Sequence, residues 1–290
     1  MYPFHLNLFG KYFYYFEGVY YVIAVVCGYF FAYSLARKQG VSKETLQDAM
    51  LIAVVSGVLG ARIFQLLFYT DEFTLSRVFS LTQGGLSITG AVVLGPLFTY
   101  FLCKWKKIDY WKLFTIVVPA VLFAQGVGRI GCFLNGDAHG VETQSSWGIT
   151  FPKYATMLPE GELWEDSKRV GDAWEYSYQM GLISEESLVS APVHATQLYE
   201  AFFDFLFAGI LYFLVLKIFR DKLDLRIAPL AYLAVYSLVR IFIEFFRADS
   251  GIGQNQFMTS MQWTLVGCLV VSCSLMMFLM KKKPTKIIHN

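Results

Sequence analysis

The chain has 290 residues, of which 56% are hydrophobic and 18% aromatic, and only 16% are charged. Ordinary globular domains carry about 25% charged residues, and the formal net charge of +2 adds little to that deficit. So little charge cannot cover a water-facing surface, which excludes a soluble enzyme, a disordered chain and a nucleic-acid binder and leaves a polytopic membrane protein.

A bilayer core of about 30 Å takes roughly 20 mostly apolar residues per helix. Seven stretches have that length: approximately Phe13–Ala36, Ala49–Tyr69, Gly85–Cys103, Leu113–Asn135, Leu198–Leu216, Ile227–Phe246 and Phe257–Met280. The expected fold is therefore an all-α integral membrane protein with about seven transmembrane helices, or six if the fourth stretch is re-entrant. Residues 1–135 hold helices one to four, residues 136–195 an inserted polar head, and residues 196–290 helices five to seven with a basic tail.

Most of the 24 Lys and Arg residues fall in one set of connections: Arg37, Lys38 and Lys43, then Lys104 to Lys112, then Lys217 to Arg226, then Lys281 to Lys286. Basic loops stay inside, so the amino terminus is expected outside and the carboxyl terminus inside. The long connection between spans four and five then lies outside. It is acidic and carries Trp147, Trp164 and Trp174, as expected of a small head on the membrane surface. Its tryptophans read either as interfacial anchors or as part of a lid over a membrane site. The first apolar run is too long, and lacks the basic flank, for a cleaved signal peptide. Cys27, Cys103, Cys132, Cys268 and Cys273 all fall in expected spans without metal spacing, so neither a metal nor an external disulfide framework is expected. No internal repeat supports a transporter.

Ionisable groups inside spans mark function by default. At about 1.5 Å per residue, Arg62, Arg129 and Arg240 all reach a similar depth in the outer half. Guanidinium groups grip phosphate through paired hydrogen bonds, so the cluster suits a phospholipid headgroup. Tyr236, Arg240 and Glu244 follow at i, i+4 and i+8 and share one helix face. Glu244 there either orients Arg240 or forms a structural ion pair with it. Glu200 and Asp204 are also i, i+4, and Asp204 reads as a packing residue rather than a chemical one. The Gly84-Gly85-Leu86-Ser87-Ile88-Thr89-Gly90 stretch opens span three and can present backbone N–H groups to an anion.

At these residues the sequence resembles the prolipoprotein diacylglyceryl transferases of bacteria, whose signature is Gly-Arg-x-Gly-Asn-Phe-x-Asn-x-Glu-x-x-Gly. Here it reads Gly128-Arg129-Ile130-Gly131-Cys132-Phe133-Leu134-Asn135-Gly136-Asp137-Ala138-His139-Gly140. The segments from Gly60 to Tyr69, Gly84 to Ser87, His194 to Glu200 and Arg240 to Arg247 look like the family as well. The resemblance implies transfer of the diacylglyceryl group of phosphatidylglycerol to the lipobox cysteine thiol of a prolipoprotein, with release of glycerol phosphate. It implies no metal or soluble cofactor, and as partners the lipid donor, the signal-peptide acceptor and the surrounding membrane lipids. The expected place is the bacterial inner membrane, with the site facing the periplasm. Arg129, Arg240, Tyr236, Glu244 and Asp137 are the implied catalytic residues. Arg62, Asn135, Gly84, Gly85, Ser87, Thr89 and His194, with the two arginines, are the implied substrate-binding residues.

Several positions depart from the family pattern. Cys132 stands for the signature Asn and Asp137 for its Glu. Thr89 replaces a span-three histidine, Glu17 a tyrosine, and Ala195 a proline. With that histidine gone, Glu17, Asp137, His139 and His194 are the candidates to take the thiol proton, the two histidines otherwise being ordinary interfacial residues. The departures keep two other readings open: a divergent member with another acceptor, and a catalytically silent lipid-binding subunit.

Overall fold

The computed structural model describes residues 5–8, 11–14, 17–68, 74, 78–79, 87–153, 173–217, 224–248 and 258–281. The described elements are a hairpin, β1 (His5–Leu8) and β2 (Lys11–Tyr14), and eight helices. The helices are α1 (Glu17–Lys38), α2 (Lys43–Phe68), α3 (Ile88–Lys106), α4 (Tyr110–Asn135), α5 (Ala173–Gln179), α6 (Thr196–Lys217), α7 (Ile227–Glu244) and α8 (Ser260–Lys281). The helical architecture agrees with the expectation, and the hairpin moves the start of the first span. The run from Phe13 is apolar, but its first residues pair as a strand in antiparallel register, Leu6 with Phe13 and Asn7 with Tyr12. Helix α1 begins at Glu17.

Among the described residues, six helices (α1, α2, α4, α6, α7 and α8) are long and apolar enough to cross a membrane. The remaining expected span coincides with α3, which is 19 residues long and ends in Lys104 and Lys106. Between 17% and 44% of the residues in these six spans are buried inside the protein. Large apolar side chains face outward on these spans, with Phe30, Phe213, Trp263 and Met277 each more than half exposed. Apolar faces on this scale suit lipid rather than water.

By its internal contacts the chain divides into two compact units, residues 29–117 in one and residues 1–28 with 118–290 in the other. In the first unit, α2 packs along α3. The two backbones touch at Gly60 and Gly90, where a Cβ added at either glycine would collide with the carbonyl of the other. Small residues at such crossings are what let membrane helices approach closely. Lys106 and Asp48 form an ion pair between the same two helices.

In the second unit, α7 packs on both α6 and α8. The buried Gln262 of α8 donates from Nε2 to the Ile241 carbonyl of α7 at 3.2 Å. The described part of the inserted segment folds around its own core of Phe133, Phe151, Ala173, Val193 and Ala195. Trp174 is itself buried and is not an interfacial anchor. It is 1% exposed, donates from Nε1 to the Ser187 carbonyl at 2.8 Å, and carries the Lys153 ammonium 4.1 Å over its ring. Trp147 is exposed, and Trp164 lies outside the described residues.

Gly140 joins the head to the helices. Its N–H donates to the His194 carbonyl at 2.8 Å, and the next N–H, of Val141, donates to the Phe246 carbonyl at 2.8 Å. A Cβ at position 140 would lie 2.5 Å from the Phe246 oxygen and 2.6 Å from the His194 Cβ. Neither backbone has a flexible end to give way, so Gly140→Ala is expected to destabilise this unit by about 1–3 kcal/mol. Thermal unfolding in detergent would register the loss.

Candidate active site

Helix α4 ends in a Schellman cap at the family-like motif. Gly136 takes φ 77°, its N–H donates to the Phe133 carbonyl at 3.2 Å, and the Asp137 N–H donates to the Cys132 carbonyl at 3.0 Å. A left-handed residue at this position closes the helix and turns the chain away. Ala138 follows in the same left-handed region, with φ 54°. Two side chains at the start of α6 pin this turn: Thr196 Oγ1 donates to the Ala138 carbonyl at 2.8 Å and Gln197 Nε2 to the Asp137 carbonyl at 2.5 Å. The result places Arg129, a turn and a half before the end of α4, level with the first turns of α6.

Glu200 of α6 is the centre of the site. Its Oε2 pairs with Arg129 Nε. Its Oε1 takes Arg240 Nη1 at 2.5 Å and lies 3.5 Å from Arg247 Nη1. Arg240 in turn holds Glu244 Oε2 at 3.0 Å through Nη2. The Glu200, Arg240 and Arg247 side chains are 7%, 12% and 8% exposed, whereas Arg129 is 26% exposed. Three guanidinium groups thus face two directly paired carboxylates. Burying such ions is costly unless each is matched in charge and hydrogen bonding. Arg129 is the member of the network that opens outward, and a guanidinium presented there can pair with an anionic group such as a phosphodiester. Arg240 Nε is buried without a hydrogen-bond partner among the described residues.

Tyr236 lies a turn inward from Arg240 and stacks on Tyr232, with ring centroids 6.0 Å apart. Tyr232 donates from its hydroxyl to Gln125 Oε1 of α4 at 3.1 Å. A polar seam therefore runs inward from the arginines between α4, α6 and α7. Neither Glu200 as the hub nor Arg247 as a member was assigned a role from sequence. The available signal was the i, i+4 spacing of Glu200 and Asp204, which shows that two acids share a helix face but not which arginines they meet.

The other expected site residues fall in different places. Arg62 and Ser87 belong to the unit of residues 29–117, where Arg62 is 2% exposed and the Ser87 N–H donates to the Ala61 carbonyl at 3.0 Å. Thr89 is exposed on the first turn of α3, and Gly84 and Gly85 lie outside the described residues. Asn135 is the last residue of α4. His139 is 3% exposed; its Nδ1 donates to the Gly140 carbonyl at 2.9 Å and its ring packs on Tyr176 of α5. That engagement gives His139 a structural place in the head.

His194 lies outside the arginine network. It lines an adjoining cavity of about 460 Å³ with Trp147, Ile149, Ala195, Leu198, Tyr199 and Phe246. Its Nδ1 is 3.2 Å from the Tyr199 hydroxyl, and its ring meets Phe246 edge to face. Burial among these apolar groups holds the His194 imidazole below its ordinary value. The unfolded chain binds the proton more readily, so the stability contributed by neutral His194 is present above about pH 6.5 and falls away as the pH drops through that value. Unfolding followed from pH 7.5 to pH 5.5 should show a steeper loss for the natural chain than for His194→Gln; equal slopes would refute this.

The sequence matches the prolipoprotein diacylglyceryl transferase family over residues 4–280. The chain belongs to that family. A member from Corynebacterium glutamicum is 30% identical over 277 residues, covering 91% of this chain and 79% of its own length. One from Prochlorococcus marinus is 29% identical over 252 residues, covering 80% of this chain and 74% of the relative. One from Finegoldia magna is 27% identical over 237 residues, covering 80% and 79%. All three are phosphatidylglycerol–prolipoprotein diacylglyceryl transferases.

Proposed function

We propose that the chain transfers the diacylglyceryl group of phosphatidylglycerol to the cysteine thiol of prolipoproteins and releases glycerol phosphate. The observation that carries this reading is the convergence of Arg129, Arg240 and Arg247 on Glu200 with Arg129 still open outward. The thiol sulfur attacks the glycerol carbon, the carbon–oxygen bond to phosphate breaks, and the electron pair leaves with the phosphate oxygen. Charge on that phosphate grows through the step. Fixed cationic donors stabilise growing charge most where water is scarce. Arg129 and Arg240 take that role, Glu244 orients Arg240, and Tyr236 flanks it.

The reading extends to placement. Seven spans, counting α3, put the basic connections on the cytoplasmic side. The Glu200 hub then opens toward the periplasmic leaflet of the inner membrane, where the donor enters from the bilayer and the acceptor arrives as a membrane-inserted signal segment. On the same reading, the inserted segment between α4 and α6 lies on the periplasmic side. Incubating the purified chain with phosphatidylglycerol and a lipobox peptide tests the activity by mass spectrometry. A peptide gaining the diacylglyceryl mass is the expected result; bound lipid with no modified peptide would overturn it in favour of a silent lipid-binding subunit.

A further inference from the structure

Asp204 lies one turn of α6 inward from Glu200 and is 9% exposed. Among the described residues it has no hydrogen-bond or ion-pair partner. The titratable groups that act on it are Glu200 on its own helix, Arg129 on α4, and Tyr232 and Tyr236 on α7. Of these, Tyr232 already donates to Gln125, Glu200 is filled by three arginines, and Arg129 gives its Nε to Glu200. A carboxyl group left unpaired inside a membrane helix is costly and marks function by default. Packing alone, the role its spacing suggested, would be served better by an apolar residue at this position.

We infer that Asp204 is the proton acceptor for the incoming thiol, an assignment that rests on the transfer reading above. Displacement at carbon needs sulfur, carbon and leaving oxygen in line. With the phosphate at Arg129 and Arg240, the attacked glycerol carbon lies on the acyl-chain side of it, and the sulfur enters from further inward. Asp204 is displaced from Glu200 in that direction, by about 6 Å along the helix. In the step the S–H proton passes to the Asp204 carboxylate and the sulfur–carbon bond forms. The carbon–oxygen bond breaks, and glycerol phosphate leaves as a dianion in place of the diester monoanion. Asp204 loses one negative charge as the phosphate gains one, so the net charge of the site is the same before and after. In a water-poor site that balance avoids building uncompensated charge.

The test compares the natural full-length chain with Asp204→Asn and Asp204→Glu in detergent, with phosphatidylglycerol and a lipobox peptide, from pH 6 to pH 10. Asp204→Asn should still bind phosphatidylglycerol and lose about 10²-fold or more in turnover near pH 7. Its residual rate should climb about tenfold per pH unit as solution supplies the thiolate, closing on the natural chain near the thiol's own range of about 8.5. Asp204→Glu should recover part of the loss. An Asp204→Asn rate that is a constant fraction of the natural one at every pH, or equal to it, overturns the assignment and leaves the transfer reading standing. A natural chain that modifies no peptide at any pH overturns the transfer reading itself.

Discussion

Replacing Glu200 with glutamine is expected to destabilise the protein by about 3–5 kcal/mol, the cost of stripping one partner from a buried ion network. The carboxylate is 7% exposed and meets Arg129, Arg240 and Arg247 from three directions. Without it, Arg129, Arg240 and Arg247 lose the carboxylate they share, while Arg240 keeps its pair with Glu244. Glutamine keeps the shape and can accept hydrogen bonds through one oxygen, but it carries no charge to offset the cations. Because α4, α6 and the end of α7 meet at this side chain, the loss should appear in unfolding of the whole unit and not in one helix. Thermal unfolding in detergent and protease resistance would both register it. A Glu200→Gln chain as stable as the natural one would mean that the guanidinium groups are held by other contacts.

Arg129→Ala is expected to behave differently. Arg129 is the most exposed member of the network and meets Glu200 through one edge, so the fold should survive its loss. Turnover should not. Removing a fixed donor from a developing oxyanion costs about 10²–10³ in rate, or roughly 2.7–4 kcal/mol. Arg129→Lys should recover little of it, because an ammonium cannot hold Glu200 through one edge and a phosphate through the other as a planar guanidinium does. Peptide modification measured beside lipid binding separates the two effects. Turnover of Arg129→Ala equal to that of the natural chain would remove Arg129 from the chemistry.

These two expectations mark the division between what could be read from sequence and what could not. The spans were legible because an apolar run of about 20 residues has few alternatives to a membrane helix. Their starts moved by a few residues, since first turns such as Lys43 to Asp48 and Tyr110 to Lys112 are helical although they precede the apolar run. The first span lost its start to the Lys11–Tyr14 strand. The same aromatic residues satisfy a hydropathy reading and a strand equally well, and pairing with His5–Leu8 decides between them.

The site was legible as far as helical periodicity reaches. Arg129 and Arg240 follow from charge inside spans, and Glu244 from its i, i+4 place on the Arg240 face. The inserted segment shows the limit. Its tryptophans look alike in sequence, yet Trp174 is a core residue and Trp147 an exposed one. His139 and His194 were equal candidates for a proton, but one is fixed against the head and the other lines a separate apolar cavity.

By itself, then, the sequence determined the helical membrane architecture and singled out Arg129 and Arg240 as charges inside spans, because hydropathy and helical spacing are local properties of the chain. Only the tertiary structure decided that Glu200 gathers Arg129, Arg240 and Arg247, and that Asp204 is left without a partner beside them. Which side chains meet across α4, α6 and α7 depends on how each helix is rotated against its neighbours. That rotation is fixed by packing, and by the Gly136 and Gly140 turns that bring the helix ends together, and no residue spacing within one helix encodes it.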